Sequence, residues 1–234
     1  MPLPVAPENF AEAVNGLAKA GFAGANVTIP HKEAAFAVCS RVEDFARRAG
    51  AVNTLVFTPD SIEGRNTDGY GFIANLRAHG VNPVAGPVLI LGAGGAARAI
   101  AAALQDEGAE VTICNRSHDR AVALAASLPP ARVLPWGARE AALSDFALLV
   151  NTTSLGMVHN PPLEMSLERA AAGMAVADIV YAPLETSLLA EAAARGLKAV
   201  EGLGMLLHQA VPGFAAWFGV TPQVDEELYR IVAA

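Results

Sequence analysis

Val88-Leu-Ile-Leu-Gly92-Ala-Gly94-Gly-Ala-Ala97-Arg98 is the stretch on which the fold turns. A short, wholly apolar run leads into Gly-x-Gly-x-x-Ala, and an alanine-rich segment of helical character follows. A strand, a glycine turn and a helix in that order form the phosphate-binding start of a dinucleotide-binding βαβ unit. Gly92 permits a tight turn, Gly94 lets backbone approach a pyrophosphate, and Ala97 is small enough for helix to pack on strand. The free N–H groups and positive dipole at the helix start suit phosphate. A second apolar strand, Glu110-Val-Thr-Ile-Cys114, stands where the unit requires one.

On either side of this unit, the rhythm from about residue 84 alternates strands and helices. Strands are expected near 87–91, 109–114, 131–134, 146–151, 174–180 and 197–200, which predicts a mostly parallel sheet covered on both faces. Two helices, 205–218 and 224–232, close the chain. Before residue 84 the pattern differs. A helix is expected over 7–20, ending at Gly21, and a strand over Ala25–Ile29. Pro30 suits the first position of a helix carrying His31 and Lys32. A helix over 42–49, a strand over 51–57, a turn at Pro59-Asp60 and a helix opening at Asn66-Thr-Asp68 complete this region. Asn160-Pro161-Pro162 reads as a surface loop.

The composition excludes several classes. Sixteen basic and twenty-three acidic side chains give a formal charge of −7. No basic stripe with interleaved aromatics appears, so nucleic acid is not an expected partner. The longest alanine-rich run, 96–104, is broken by Arg98 and too short to span a membrane. Cys39 and Cys114 lack metal-ligand spacing and fit a reducing compartment, and no basic-then-apolar leader is seen; a cytoplasmic protein without a metal is expected.

The second strand selects the dinucleotide. An NAD enzyme usually carries Asp or Glu at its end to hold the ribose 2′-hydroxyl. Here the strand ends Cys114-Asn115-Arg116-Ser117, with Arg120 a helical turn further. Arg116 and Arg120 could be solvated surface residues. An absent acid and a present guanidinium at one position both point to a 2′-phosphate, hence to NADP.

A redox cofactor needs a substrate site. Asn26, Thr28, Asn53 and Asp68 are polar residues at or beside strand ends, where burial demands hydrogen-bond partners. Alone, Asp68 reads as a helix N-cap and Lys32 as a solvated position. Together they suit hydride transfer to a ketone, whose developing oxyanion must receive a proton. A lysine partly withdrawn from water can supply one, with a carboxylate to hold it. His31 is set aside because helical neighbours point about 100° apart, as is His208 beside Gln209. His79, His118 and His159 are expected to be exposed, and the Met and Leu side chains of 203–207 to pack.

Asn26-Val-Thr28-Ile-Pro30-His-Lys32, Gly50-Ala-Val-Asn53-Thr54 and Asn66-Thr-Asp68-Gly69 are followed by the glycine turn and the Asn115-Arg116 pair. Asn151-Thr-Thr-Ser-Leu-Gly156-Met157, Asp178-Ile-Val-Tyr181-Ala-Pro183-Leu184 and Gly202-Leu-Gly204-Met205-Leu-Leu-His-Gln209-Ala210 come after them. In this order the motifs resemble the shikimate dehydrogenase family over nearly the whole chain. The resemblance implies NADPH-dependent, reversible reduction of 3-dehydroshikimate to shikimate in aromatic amino-acid biosynthesis. It implies a catalytic pair, Lys32 and Asp68, and substrate contacts from Asn26, Thr28, Asn53, Tyr181 and Gln209. Gly92, Ala93, Gly94, Gly95 and Ala96 would hold the pyrophosphate and Asn115, Arg116 and Arg120 the 2′-phosphate. Asp44, Thr153, Ile179 and Gly202 complete the cofactor side. The implied α/β architecture has a C-terminal Rossmann domain over 84–204 and a connecting helix at 69–83. An N-terminal α/β substrate domain takes 1–68 and is completed by the helices of 205–234. A homodimer is compatible with it.

One departure stands out. Family members usually begin with a strand and a Ser-x-Ser motif that binds the substrate carboxylate, whereas no Ser precedes Ser40 here. Weakened substrate binding and a less stable first domain are therefore expected, with cofactor binding intact. Two alternatives are a quinate/shikimate dehydrogenase paralogue and a catalytically impaired NADP-binding protein.

Overall fold

The structure, a computed structural model, describes residues 1–28 and 30–233. Its frame is the sheet that the glycine-turn stretch belongs to. β5 (Val88–Leu91), β6 (Val111–Asn115), β7 (Arg132–Pro135), β8 (Leu148–Asn151), β9 (Ala175–Asp178) and β10 (Lys198–Val200) form a six-stranded sheet. It is ordered β10-β9-β8-β5-β6-β7, and every pairing is parallel. β5 is central and wholly buried, which is why it reads as an unbroken apolar run rather than an alternating one. Its side chains still alternate between faces. Val88 and Ile90 pack with α5 (Gly95–Glu107) and α6 (His118–Ser127), while Leu89 and Leu91 meet α7 (Ser187–Ala194). Strand order reverses between β5 and β8, and ligands of such sheets lie in the crevice beyond the strand ends there.

The first sheet is smaller. β1 (Gly24–Asn26), β2 (Arg41–Val42), β3 (Thr54–Phe57) and β4 (Ile62–Arg65) lie in the order β1-β3-β4-β2. β3 runs antiparallel to both neighbours and β2 parallel to β4. α1 (Phe10–Lys19), α2 (Lys32–Val38) and α3 (Asp44–Ala49) supply a core of Phe10, Val14, Ala35 and Ala46 against Val52 and Leu55.

Several boundaries differ from the sequence expectation. The strand expected over Ala25–Ile29 is the shorter β1, and Ile29 lies outside the described residues. Pro30 does not open a helix; α2 starts at Lys32, after a turn closed by His31 N–H donating to Thr28 O at 2.9 Å. Strand 51–57 begins only at Thr54, because residues 51–53 run through a buried loop instead. The short β2 was not anticipated, since two residues carry no period.

Two helices bridge the sheets. α4 (Asp68–Ala78) and α8 (Gly202–Phe218) pack side by side, and α8 reaches back to the first sheet, where Trp217 Nε1–H donates to Leu55 O at 2.9 Å. α8 starts three residues before the expected 205. The Glu201 carboxylate accepts the N–H groups of Leu203 and Gly204, satisfying donors that the first turn leaves open. α9 (Glu226–Ala233) ends the chain. No helix among the described residues is long and apolar enough to cross a membrane.

Candidate active site

The loop before β3 gathers the polar residues. Val52 N–H donates to Lys32 O at 3.0 Å and Val27 N–H to Asn53 O at 2.7 Å, so the first turn of α2 and the end of β1 are tied to one place. Lys32 Nζ then lies 2.6 Å from Asp68 Oδ2, with side chains 21% and 8% exposed: a lysine that reaches the cleft and a carboxylate sealed behind it. Asp68 sits here because the Asn66 carboxamide holds the approach to α4, accepting from Asp68 N–H at 3.0 Å and donating to Ala51 O at 3.0 Å. Asp68 is not the N-cap that it suggests when read alone. Thr67 occupies that position, and Asp68 spends its carboxylate on Lys32 and Asn53.

Asn53, 2% exposed, is the hub. Its Nδ2 donates to Asp68 Oδ1 at 2.8 Å, Thr67 Oγ1 at 3.0 Å and Gln209 Oε1 at 3.2 Å. Its Oδ1 accepts from Thr67 N–H and from the Thr54 hydroxyl, each at 2.9 Å. Gln209 arrives from α8 and also accepts from the Thr67 hydroxyl at 3.3 Å. Asn26 and Thr28 stay exposed at the rim, Asn26 Nδ2 donating weakly to Asn53 O at 3.4 Å. The arrangement brings together Lys32, Asn53, Asp68 and Gln209, with Asn26 beside them. Tyr181, 47% exposed, has no hydrogen bond to this network among the described residues.

His31 faces elsewhere. As the residue before α2 it stacks on Phe10 with centroids 4.7 Å apart and places Nε2 2.9 Å from Val5 O. His79 corrects the expectation of exposure: it is half-buried, with Nδ1 2.9 Å from Asn75 O and Nε2 3.8 Å from Glu201. Burial, reinforced by His79, lowers the pKa of His208.

On the cofactor side, Gly92 adopts φ +116°, a region closed to most L-residues, and a Cβ there would strike the Thr152 hydroxyl. Gly94 and Gly95 differ: a Cβ on either meets no protein atom within 4 Å. Their smallness serves no packing partner in the chain, as expected where a ligand must approach backbone. Ala93 and Ala96 are half-buried beside them. Asn115 closes β6, its Nδ2 donating to Ser117 O at 2.9 Å; Arg116 and Arg120 are exposed and make no ion pair among the described residues. Gly202 abuts Ile179, where a Cβ would lie 2.5 Å from the carbonyl carbon. Asp44 is exposed at the start of α3, and no hydrogen bond joins it to this set among the described residues. This donor set fits a dinucleotide bearing a 2′-phosphate.

A second polar cluster, drawn from the Asn151 and Asp178 motifs, lies at the ends of β8 and β9. Asp178, 2% exposed, ends β9 and accepts from Asn151 Nδ2 at 3.0 Å, Val180 N–H at 3.0 Å and the Thr186 hydroxyl at 2.8 Å. Asn151 Oδ1 accepts from the Thr153 hydroxyl at 2.7 Å, so Thr153 is engaged in its own loop. Burial raises the Asp178 pKa against these hydrogen bonds. A lone carboxylate closing an apolar strand was the available signal. Thr54 and Thr67 both lie inside quoted motifs, but no sequence signal marks either as a member of the Asn53 network.

A parallel sheet with a phosphate-binding turn, together with a lysine–carboxylate pair at the starts of two helices beside a second sheet, is the architecture of a two-domain, dinucleotide-binding oxidoreductase. Family models match over residues 1–55 (shikimate dehydrogenase substrate binding domain), 81–182 (shikimate / quinate 5-dehydrogenase) and 202–226 (shikimate 5′-dehydrogenase C-terminal domain). The chain is 75% identical to a shikimate dehydrogenase (NADP(+)) of Acidiphilium cryptum (strain JF-5), over 100% of its own length and 84% of that protein's. The shikimate 5-dehydrogenase of Thermus thermophilus, solved in complex with NADP(H) and shikimate, superposes with TM-score 0.86 at 38% identity, covering 94% of this chain and 81% of that one. A quinate dehydrogenase from Corynebacterium glutamicum, in complex with NAD, gives TM-score 0.89 at 29% identity, covering 96% and 82%. The chain belongs to the shikimate dehydrogenase family.

Proposed function

We propose that this protein catalyses the reversible reduction of 3-dehydroshikimate to shikimate with NADPH, a step of aromatic amino-acid biosynthesis. The observation that carries the reading is the Lys32–Asp68 pair at 2.6 Å, held by Asn53 and Gln209 in one network. NADPH, when bound, supplies the hydride that the chain itself cannot. Lys32 gives a proton to the substrate oxygen as negative charge develops on it, and takes one back in the reverse direction. Asp68 keeps the ammonium at that oxygen, and the Asn53 amide fixes the carboxylate that does so. Gln209, Asn26, Thr28 and Tyr181 contribute to binding the hydroxyls and carboxylate of the substrate. Arg116 and Arg120, with Asn115, take the 2′-phosphate, their guanidiniums being always charged and able to fork. Gly92 to Ala96 seat the pyrophosphate, Ile179 and Gly202 lie on the nicotinamide side, and Asp44 and Thr153 belong to the cofactor side.

A cytoplasmic homodimer belongs to the same reading. The two thiols, Cys39 and Cys114, are unpaired, as a reducing compartment would leave them, and burial pushes the pKa of each up to about 11, which makes both poor nucleophiles.

The test is absorbance at the reduced-nicotinamide band, with shikimate and quinate each offered alongside NADP and NAD. Shikimate with NADP is expected to exceed the other pairs by at least about tenfold, a single good charge-assisted contact's worth of discrimination. Preference for quinate with NAD would assign the paralogue's activity instead. No turnover with any pair would leave an NADP-binding protein without catalysis.

A further inference from the structure

α4 opens Asp68-Gly69-Tyr70-Gly71, placing two glycines inside the first turn of a helix. Glycine is the poorest helix former apart from proline, so local preference argues against both. Neither has a positive φ, so turn geometry does not call for them. Packing does. Residues two apart on a helix point about 200° apart, to nearly opposite sides, and the two glycines meet different neighbours. A methyl group on Gly69 would lie 2.5 Å from Phe45 Cζ on α3. It would also stand 2.8 Å from Ala103 Cβ and 3.1 Å from Ala99 O, both on the cofactor-domain helix α5. A methyl group on Gly71 would lie 2.6 Å from Gln209 Cβ and 2.7 Å from both Gln209 N and Met205 O, on α8. The first turn of α4 is thus wedged between the helix that follows the glycine-rich turn and the helix that carries Gln209. Asp68 heads that turn.

We propose that Gly69 and Gly71 are positioning residues that set the Asp68 carboxylate, and with it Lys32, at fixed separations from the cofactor helix and from Gln209. The inference rests on the roles given above to Asp68, Lys32 and Gln209. The two spacings are separable, because the obstacles lie on different helices. Widening the Gly69 side moves the proton-transfer pair away from the glycine-rich turn and leaves the substrate contacts together. Widening the Gly71 side takes Gln209 from Asn53 and Thr67 and leaves the approach to α5 unchanged.

The experiment compares Gly69→Ala, Gly71→Ala and, as a control, Gly16→Ala in α1, where a Cβ meets nothing within 4 Å. Gly69→Ala is expected to lower kcat by about tenfold to a hundredfold, the scale of a displacement of order 1 Å. KM for shikimate and Kd for NADPH should stay within about twofold of the wild-type values, a split that general loss of structure does not produce. Deuterium at the transferred position of NADPH should slow this variant more than the wild type. Adding Phe45→Leu and Ala103→Gly removes the two side-chain obstacles and should restore kcat in part; this triple variant also serves if Gly69→Ala alone folds poorly. Gly71→Ala is expected to raise KM for shikimate by about tenfold, with NADPH Kd unchanged. Wild-type kinetics in both variants, or no recovery in the triple variant, would overturn the proposal. A crystal structure of Gly69→Ala decides independently of activity: α4 displaced from α5 supports the spacing, and unchanged helix positions overturn it. If the wild-type chain is inactive on shikimate, the functional reading fails while this structural outcome still stands.

Discussion

Two buried carboxylates, Asp68 and Asp178, end up in opposite situations. Asp68 has a cation 2.6 Å away, and its partners come from α2, the loop before β3 and, through Asn53, α8. Among the described residues Asp178 has only neutral donors, Asn151, Thr186 and a backbone N–H, and burial raises its pKa. The first arrangement leaves the Lys32 ammonium partly open to solvent, where the proposed function needs a proton donor. The second has no mobile proton donor and fixes the ends of β8 and β9, where Thr186 also caps α7. Similar burial thus accompanies an ion pair in one place and a neutral hydrogen-bonded loop in the other, and, on the proposed function, the partner's charge is what separates chemistry from loop geometry.

The largest effect that tests the contrast is that of Lys32→Ala. Turnover should fall about 10²- to 10⁴-fold, the usual span for a proton donor, with NADPH affinity within about twofold by fluorescence titration. Near-normal turnover would remove Lys32 from the chemistry and erase the distinction. Next comes Asp178→Ala, which strands the Thr186 hydroxyl, the Asn151 amide and the Val180 N–H. A loss of about 2–4 kcal/mol in urea unfolding is expected, whereas Asp178→Asn, able to keep most of these bonds, should lose less than about 1.5 kcal/mol. Equal losses would mean that the charge matters after all.

The smallest effect is a dependence on pH. The folded pKa of Asp178 lies above its unfolded value of 3.8, so in the window between them the native state binds more protons and stability falls as pH rises. On acidification from neutrality into that window the wild type should therefore gain on Asp178→Asn. One proton limits the gain to about 1.4 kcal/mol per pH unit. Urea midpoints of both chains at pH 7 and in the mildly acidic range measure it; a constant difference would show that Asp178 does not titrate there.

The cofactor half was the more legible in sequence. Its inner strands β5, β8 and β9 are buried throughout and read as apolar runs, and the glycine turn is a local motif, although the expected alternation with helices fails between β7 and β9, where no α-helix is found among the described residues. The substrate half was read less well at its edges. β2 has two residues and no period, the loop at 51–53 resembles a strand because it is apolar and buried, and Pro30 suggested a helix start that hydrogen bonding to Thr28 places later. Lys32, Asn53, Asp68 and Gln209 could be named from motifs, but Thr67, at the centre of their hydrogen bonds, could not. A threonine beside an aspartate carries no distinguishing pattern until its neighbours are known.

The α/β order, the dinucleotide turn and the expectation of NADP, drawn from Arg116 in place of an acid, were all written in the sequence. Each depends on residues within a few positions of one another, where chain geometry alone fixes what they can do. It took the packed molecule to show that Asp68 serves Lys32 rather than capping its helix, that Asp178 is held without a cation, and that Gly69 and Gly71 face two different helices. Those outcomes depend on partners far away in the chain, and which of them a buried polar group or a bare Cα meets is settled by packing.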